Sequence, residues 1–361
     1  MIRCNPGRFA AGLTRGGCMT QTDTHVAQAA GTQVTEAPSR AKTLFSNQQF
    51  LLFLVWVLMV IGFSLINHIF FSVGVAENVL ADWAPLVLIA LGELVVIIGG
   101  GIDLSVGAIV GFSGVISAFT MKSLHGSGVS GPATLVVGIA VCVLVGLLVG
   151  LVNSLLINYA KLVPFIATLV TLGACSGLAL VFTKGAPVMG GPPEAIKLAP
   201  AWLGPFSGPV LVVLLVVAVL WLFVHKARFG RYTFAIGSNS FAARAAGINV
   251  KRHIMRIYML SGLLAGLAGF FFYIRLGSGA PTSGLGNELD AIAAVVIGGA
   301  ALTGGVGRVS GTVLGALILT TVTSGLIISG VDPQWKRVVV AGLIAIAATL
   351  QALRKREGAA A

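Results

Sequence analysis

Leu86-Val87-Leu88-Ile89-Ala90-Leu91-Gly92-Glu93-Leu94-Val95-Val96-Ile97-Ile98-Gly99-Gly100-Gly101-Ile102-Asp103-Leu104-Ser105 decides how this chain is read. Up to Ile98 it carries one ionisable group, Glu93, and it continues an apolar run that opens near residue 78. About 20 apolar residues, coiled at about 1.5 Å per residue, cross a hydrocarbon layer of about 30 Å. Gly99-Gly100-Gly101 then breaks the helix, and Asp103 and Ser105 precede a second apolar run. A break of this kind exposes backbone groups that only a protein-lined interior or a membrane edge can satisfy.

The rest of the chain repeats the pattern. Hydrophobic residues make up 57% and charged residues 9%, whereas soluble domains carry roughly 25% charged residues. Apolar segments near 50–70, 78–98, 103–121, 132–158, 163–183, 209–225, 257–276, 289–303, 308–329 and 335–353 predict about ten spans. The expected fold is an all-α polytopic transmembrane bundle with Gly-rich broken helices. The net charge of +12 would suit nucleic acid, but the basic residues sit in short stretches between apolar runs, as positive-inside sorting requires. With the amino terminus inside, only Lys122, Lys184, Lys197, Arg275, Lys336 and Arg337 fall outside or at outer helix ends. The partner medium is therefore membrane lipid, with no nucleic acid, and both termini are expected in the cytoplasm of a bacterial inner membrane.

Residues 1–49 lack an apolar run long enough for a signal-peptide core and read as a disordered cytoplasmic tail, with Met19 as an alternative start. Residues 50–353 form the membrane domain and 354–361 a second short tail. Cys4, Cys18, Cys142 and Cys175 lack disulfide or metal spacing and read as small, buried residues.

Val96-Ile97-Ile98-Gly99-Gly100 is echoed by Val295-Val296-Ile297-Gly298-Gly299. Transport proteins are often built from such repeats; equally, two Gly-rich apolar segments look alike without any repeat. Gly146, Gly150, Gly262, Gly266, Gly269, Gly311 and Gly315 lie within the spans, where small residues let membrane helices approach closely. Gly304-Gly305-Val306-Gly307-Arg308 resembles a nucleotide loop only superficially, since the lysine and the βαβ setting are missing. No ATP site, cofactor or metal is expected, and no constellation for catalysis, so the energy source must lie elsewhere. Glu93, Asp103, Glu288 and Asp290 are expensive at membrane depth and are pathway candidates, together with Ser105 and the breaks at Gly99, Gly100, Gly101, Gly304 and Gly305. Asp103 reads equally as a helix cap, and Glu288 and Asp290 also suit the start of a helix on the outer side.

The 226–256 loop is the longest on the inner side. It holds a small-residue helix, Ser240 to Ala246 closed by Gly247, between basic flanks, a shape suited to a groove in a cytosolic partner.

Four ordered stretches resemble the ribose/xylose-type permeases of ATP-binding-cassette sugar importers, in the branched-chain-amino-acid/ribose permease superfamily. They are Gly101-Ile102-Asp103-Leu104-Ser105-Val106-Gly107-Ala108, Pro164 to Leu169 with Gly177-Leu178-Ala179 and Thr183, Ala243 to Val250, and Glu288 to Gly299. The resemblance covers nearly all of 80–353. It implies a cytosolic ATP-binding subunit, a periplasmic sugar-binding protein and a second permease copy, identical or paralogous, and it marks 240–250 as the coupling helix, with Phe241, Ala243, Arg244, Ala246 and Gly247 meeting the ATPase. Phe241 stands where the family usually has an acid and Ser176 where it usually has arginine. The expected function is import of a small sugar; the alternatives are a nucleoside or other small polar solute carried by the same machinery, or an ion-coupled secondary transporter.

Overall fold

The computed structural model describes residues 48–199, 201–203, 206–332, 334–342, 345 and 349. The two expected tails, Met19, Cys4 and Cys18 lie outside them, except that Gln48 and Gln49 already belong to the first helix. Along the chain run α1 (Gln48–Ile66), a 3-10 turn (His68–Phe71), α2 (Val73–Ile98), α3 (Val106–Gly126), α4 (Gly131–Asn158) and α5 (Pro164–Thr183). A short α6 (Glu194–Lys197) and a two-stranded antiparallel pair, β1 (Ala201–Leu203) and β2 (Phe206–Ser207), lead to α7 (Gly208–His225). Then come α8 (Arg228–Ser238), α9 (Ser240–Ala245), α10 (Val250–Leu276), α11 (Asn287–Ile297) and α12 (Val309–Ile328).

Among the described residues, eight helices are long and apolar enough to cross a membrane: α1 to α5, α7, α10 and α12. Each coincides with an expected span. The segment expected at 289–303 is α11, whose 11 residues reach only about 16 Å. The last expected span, 335–353, is helical from 335 to 342, and about half of it lies outside the described residues. α10 begins at Val250 rather than 257, because Asn249 Oδ1 caps it by accepting from the Arg252 N–H at 3.1 Å.

α2 is the axis of the bundle: every residue from Trp83 to Ile98 is buried. α10 packs on α2, α3 and α4, and its contact with α4 is backbone to backbone. A side chain on Gly146 would collide with the Gly262 carbonyl, and one on Gly266 with the Cys142 carbonyl. α11 and α12 meet in the same way, Gly311 on the Gly298 carbonyl and Gly315 on that of Ala294. Without a hydrophobic drive inside lipid, dispersion contacts at this range hold helices together. Cys142 and Cys175 are free and buried, as their setting predicts.

Candidate functional site

At the end of α2 the Gly99 N–H bonds to Val95 O, the Gly100 N–H to Ile97 O (2.9 Å) and the Gly101 N–H to Val96 O (3.0 Å). Gly100 has φ +85°, a left-handed conformation that only glycine adopts without strain. This is a Schellman terminus, and it satisfies carbonyls that would otherwise be orphaned in the membrane.

Beyond it the chain turns back alongside α2. Asp103 and Glu93 are both fully buried, and the Asp103 N–H donates to Glu93 Oε1 at 3.2 Å. Asp103 Oδ1 accepts from the Ser105 N–H (3.0 Å) and hydroxyl, and its Oδ2 accepts from Ser261 Oγ of α10 at 3.1 Å. Ser105 Oγ in turn accepts from Asn153 Nδ2 of α4 at 2.8 Å, and Asn153 Oδ1 accepts from Thr171 Oγ1 of α5. One carboxylate thereby ties the break to α10, α4 and α5. Both Asp103 carboxylate oxygens, the Ser105 hydroxyl and the Asn153 amide are matched, which keeps that part of the network stable in a medium without water. Glu93 Oε2 and the Tyr258 hydroxyl are buried without a hydrogen-bond partner among the described residues.

The second break copies the first. The Gly298, Gly299 and Ala300 N–H groups bond to Ala294 O, Val296 O and Val295 O, and Gly299 has φ +92°. The two echoed sequences therefore share one hydrogen-bonded terminus. What surrounds them differs. Residues 278–286 descend along α3 without forming a helix: Gly279 packs on Gly114 and Ala118, Pro281 O on Gly111, and Gly284 on Gly107. Glu288 also abuts Gly107, close to the start of α3. Glu288 and Asp290 thus sit in the first turn of a half-length helix, not of a full span. Both Glu288 carboxylate oxygens accept from the Gly286 N–H (3.2 and 3.1 Å), and Asp290 Oδ2 binds Lys336 Nζ at 2.6 Å.

The 226–256 loop forms a helical hairpin, α8 and α9. Asn239 Oδ1 caps α9 by accepting from the Phe241 and Ala242 N–H groups (3.0 and 2.9 Å), and Gly247, at φ +84°, closes it. Phe241 is 81% exposed, and Arg244, Ala246 and Gly247 are exposed with it. Ala243 is not part of that surface. It is 4% exposed and packs inward with Ile236 and Val250. α8 is anchored to α10 through Thr233 Oγ1 and His253 Nε2, 2.8 Å apart, with Phe229 against the same imidazole.

The family described as "Branched-chain amino acid transport system / permease component" matches residues 75–348. The chain belongs to that permease family. It is 41% identical to the ribose import permease protein of Bacillus subtilis over 302 residues, covering 82% of this chain and 90% of that protein. It is 38% identical to the Escherichia coli ribose import permease over 289 residues, 79% of this chain and 87% of the other. With the D-allose transport system permease of E. coli it shares 36% over 310 residues, 86% and 93% of the two chains. No solved structure matches it.

In this permease the sequence candidates Glu93, Asp103 and Ser105 come together with Gly99, Gly100 and Gly101, and Gly304 and Gly305 approach the same break from the other side. Glu288 and Asp290 stand apart on α11. Asn153, Thr171 and Ser261 complete the permease's polar clamp and were not among the candidates. The available signal was a polar side chain inside an apolar span, but α4 and α5 each carry several, such as Ser154, Thr168 and Thr183, and nothing in the sequence singles out Asn153 and Thr171 among them. Ser176, the departure on α5, has its hydroxyl buried without a hydrogen-bond partner among the described residues.

Proposed function

We propose that this chain is the membrane-spanning subunit of an ATP-driven importer for a monosaccharide. The observation that carries the reading is its extensive identity, over most of both chains, to permeases named for ribose and for D-allose. On this reading the chain performs no covalent chemistry. A periplasmic binding protein delivers the sugar, cytosolic ATP-binding subunits supply the energy, and two permease copies enclose the path. The exposed ridge Phe241, Arg244, Ala246 and Gly247 on α9 meets the ATPase. Glu93, Asp103 and Ser105 hold the broken end of α2 in place. The test is uptake by vesicles containing the permease with its ATPase and binding protein: ATP-dependent accumulation of a labelled pentose or hexose is expected. Uptake that follows a proton or sodium gradient without the ATPase would overturn the reading.

The same reading places the termini and the α8–α9 loop in the cytosol. In intact cells, an impermeant thiol reagent is expected to label Met189→Cys and to spare Ser240→Cys; strong external labelling at position 240 would reverse the topology. At the docking surface, Phe241→Glu is expected to weaken co-purification of the ATPase, since an enclosed phenylalanine contributes about 1.5–3 kcal/mol. Unchanged recovery of the complex would remove Phe241 from the contact.

A further inference from the structure

The end of α8 touches both helix breaks chiefly through backbone. A side chain on Gly237 would collide with the Ile98 carbonyl, which ends α2, and would stand 2.7 Å from Gly305 N in the loop after α11. The Gly305 N–H donates to that same Ile98 carbonyl at 2.9 Å. A side chain on Gly304 would stand 2.8 Å from Gly237 O and 3.0 Å from Gly100 Cα, and one on Gly305 would collide with the Ser238 hydroxyl. Gly304 and Gly305 have φ of +87° and +73°, so their backbone conformation suits glycine independently of this crowding.

We propose that Gly237, Gly304 and Gly305, seated on Gly100 and Ile98, form a rigid joint through which movement of the α8–α9 hairpin is passed to the inner ends of both broken helices. The inference rests on the importer reading. Its physical basis is that Gly237 and Gly304 meet their neighbours backbone to backbone, with the Ser238 hydroxyl only at the edge of the contact, against Gly305. Packed backbone does not compress or shear by small amounts, so three segments in direct contact move together or separate. The hairpin is anchored to α10 by the Thr233–His253 pair and the rings around it, and by Ile236 and Ala243 packed on Val250. Beside the joint lies a cavity of about 190 Å³, bordered by Gly99, Gly100, Gly101, Ile236, Ser240 and Tyr258. It gives the α2 break room to shift on one side. A push on α9 therefore reaches Gly100 directly and, three residues later, the Asp103 clamp.

Two variants test the joint in vesicles holding the whole transporter. Gly237→Ala is expected to keep ATPase recovery and basal ATP hydrolysis within twofold while sugar moved per ATP hydrolysed falls tenfold or more. A variant with the wild-type ratio would overturn the proposal. Because Gly237→Ala could also disturb folding, its thermal unfolding in detergent is measured beside the wild type, and the second variant leaves the backbone contacts untouched: Ser238→Ala removes only the hydroxyl that lies against Gly305. Ser238→Ala is expected to keep the sugar moved per ATP within twofold of the wild type. A tenfold loss in Ser238→Ala would show that a side chain and not packed backbone carries the movement, and would sink the joint. Wild-type vesicles report on the importer reading separately, since absence of ATP-dependent uptake there would defeat that reading before either variant is made.

Discussion

At Val96–Gly101 and at Val295–Ala300 the same apolar run ends in the same hydrogen-bonded terminus with the same left-handed glycine, yet beyond that point the chain is held in two ways. After the first terminus, side chains take over: Asp103 gathers Ser105 and Ser261, and Ser105 extends the link to Asn153 and Thr171. After the second, backbone does the work. The Ala301 N–H reaches Val306 O, the Gly304 N–H reaches Ala301 O, and α12 presses Gly311 against Gly298. The equivalent of Asp103, counted from the shared motif, is Leu302, 41% exposed. A repeated terminus fixes where a helix stops, and the residues after it decide whether it is stabilised by charge or by shape.

The comparison predicts unequal sensitivity. Asp103→Ala deprives the Ser105 N–H, the Ser105 hydroxyl and the Ser261 hydroxyl of an acceptor. At about 1–3 kcal/mol for each unsatisfied buried group, it is expected to destabilise the protein by about 3 kcal/mol or more. Leu302→Ala, at the equivalent place, is expected to change stability by about 0.5 kcal/mol or less. Thermal unfolding in detergent measures both, and equal effects would erase the distinction. Gly311→Val reverses the test by overfilling the second break, with an expected loss of about 1–3 kcal/mol; a variant as stable as the wild type would show that α11 and α12 have room to part. Asn153→Leu removes only the outer link of the clamp. Thr171 retains backbone acceptors at Ala167 and Thr168, so the expected loss is about 1 kcal/mol, seen as a small downward shift of the same transition.

Much of this was legible in the sequence because lipid imposes a simple length rule. Eight spans follow directly from apolar run length, and the glycines chosen for close packing, such as Gly146, Gly262, Gly266, Gly311 and Gly315, are the ones that meet neighbouring backbone. The two breaks were readable because Gly99-Gly100 and Gly298-Gly299 interrupt otherwise continuous runs. Three things were hidden. Hydropathy does not distinguish a helix from an irregular segment wrapped by protein, so 289–303 read as a full span although α11 ends at Ile297. Alanine carries no sign of which way it faces, so Ala243 was assigned to the docking surface although it points inward. Asn153, Thr171 and Ser261 lie on three helices distant in sequence from Asp103, and only the tertiary fold brings their side chains together.

The half-length α11 bears on how the protein is made. A segment of 11 residues that includes Glu288 and Asp290, preceded by chain without internal helical hydrogen bonds, has no favourable resting place in lipid by itself. Its partners are α2 and the glycine face of α3, synthesised long before, and the start of α12, synthesised just after. The insertion machinery must therefore keep this stretch sheltered from the bilayer until α12 emerges, and release the carboxyl-terminal third of the chain as one unit.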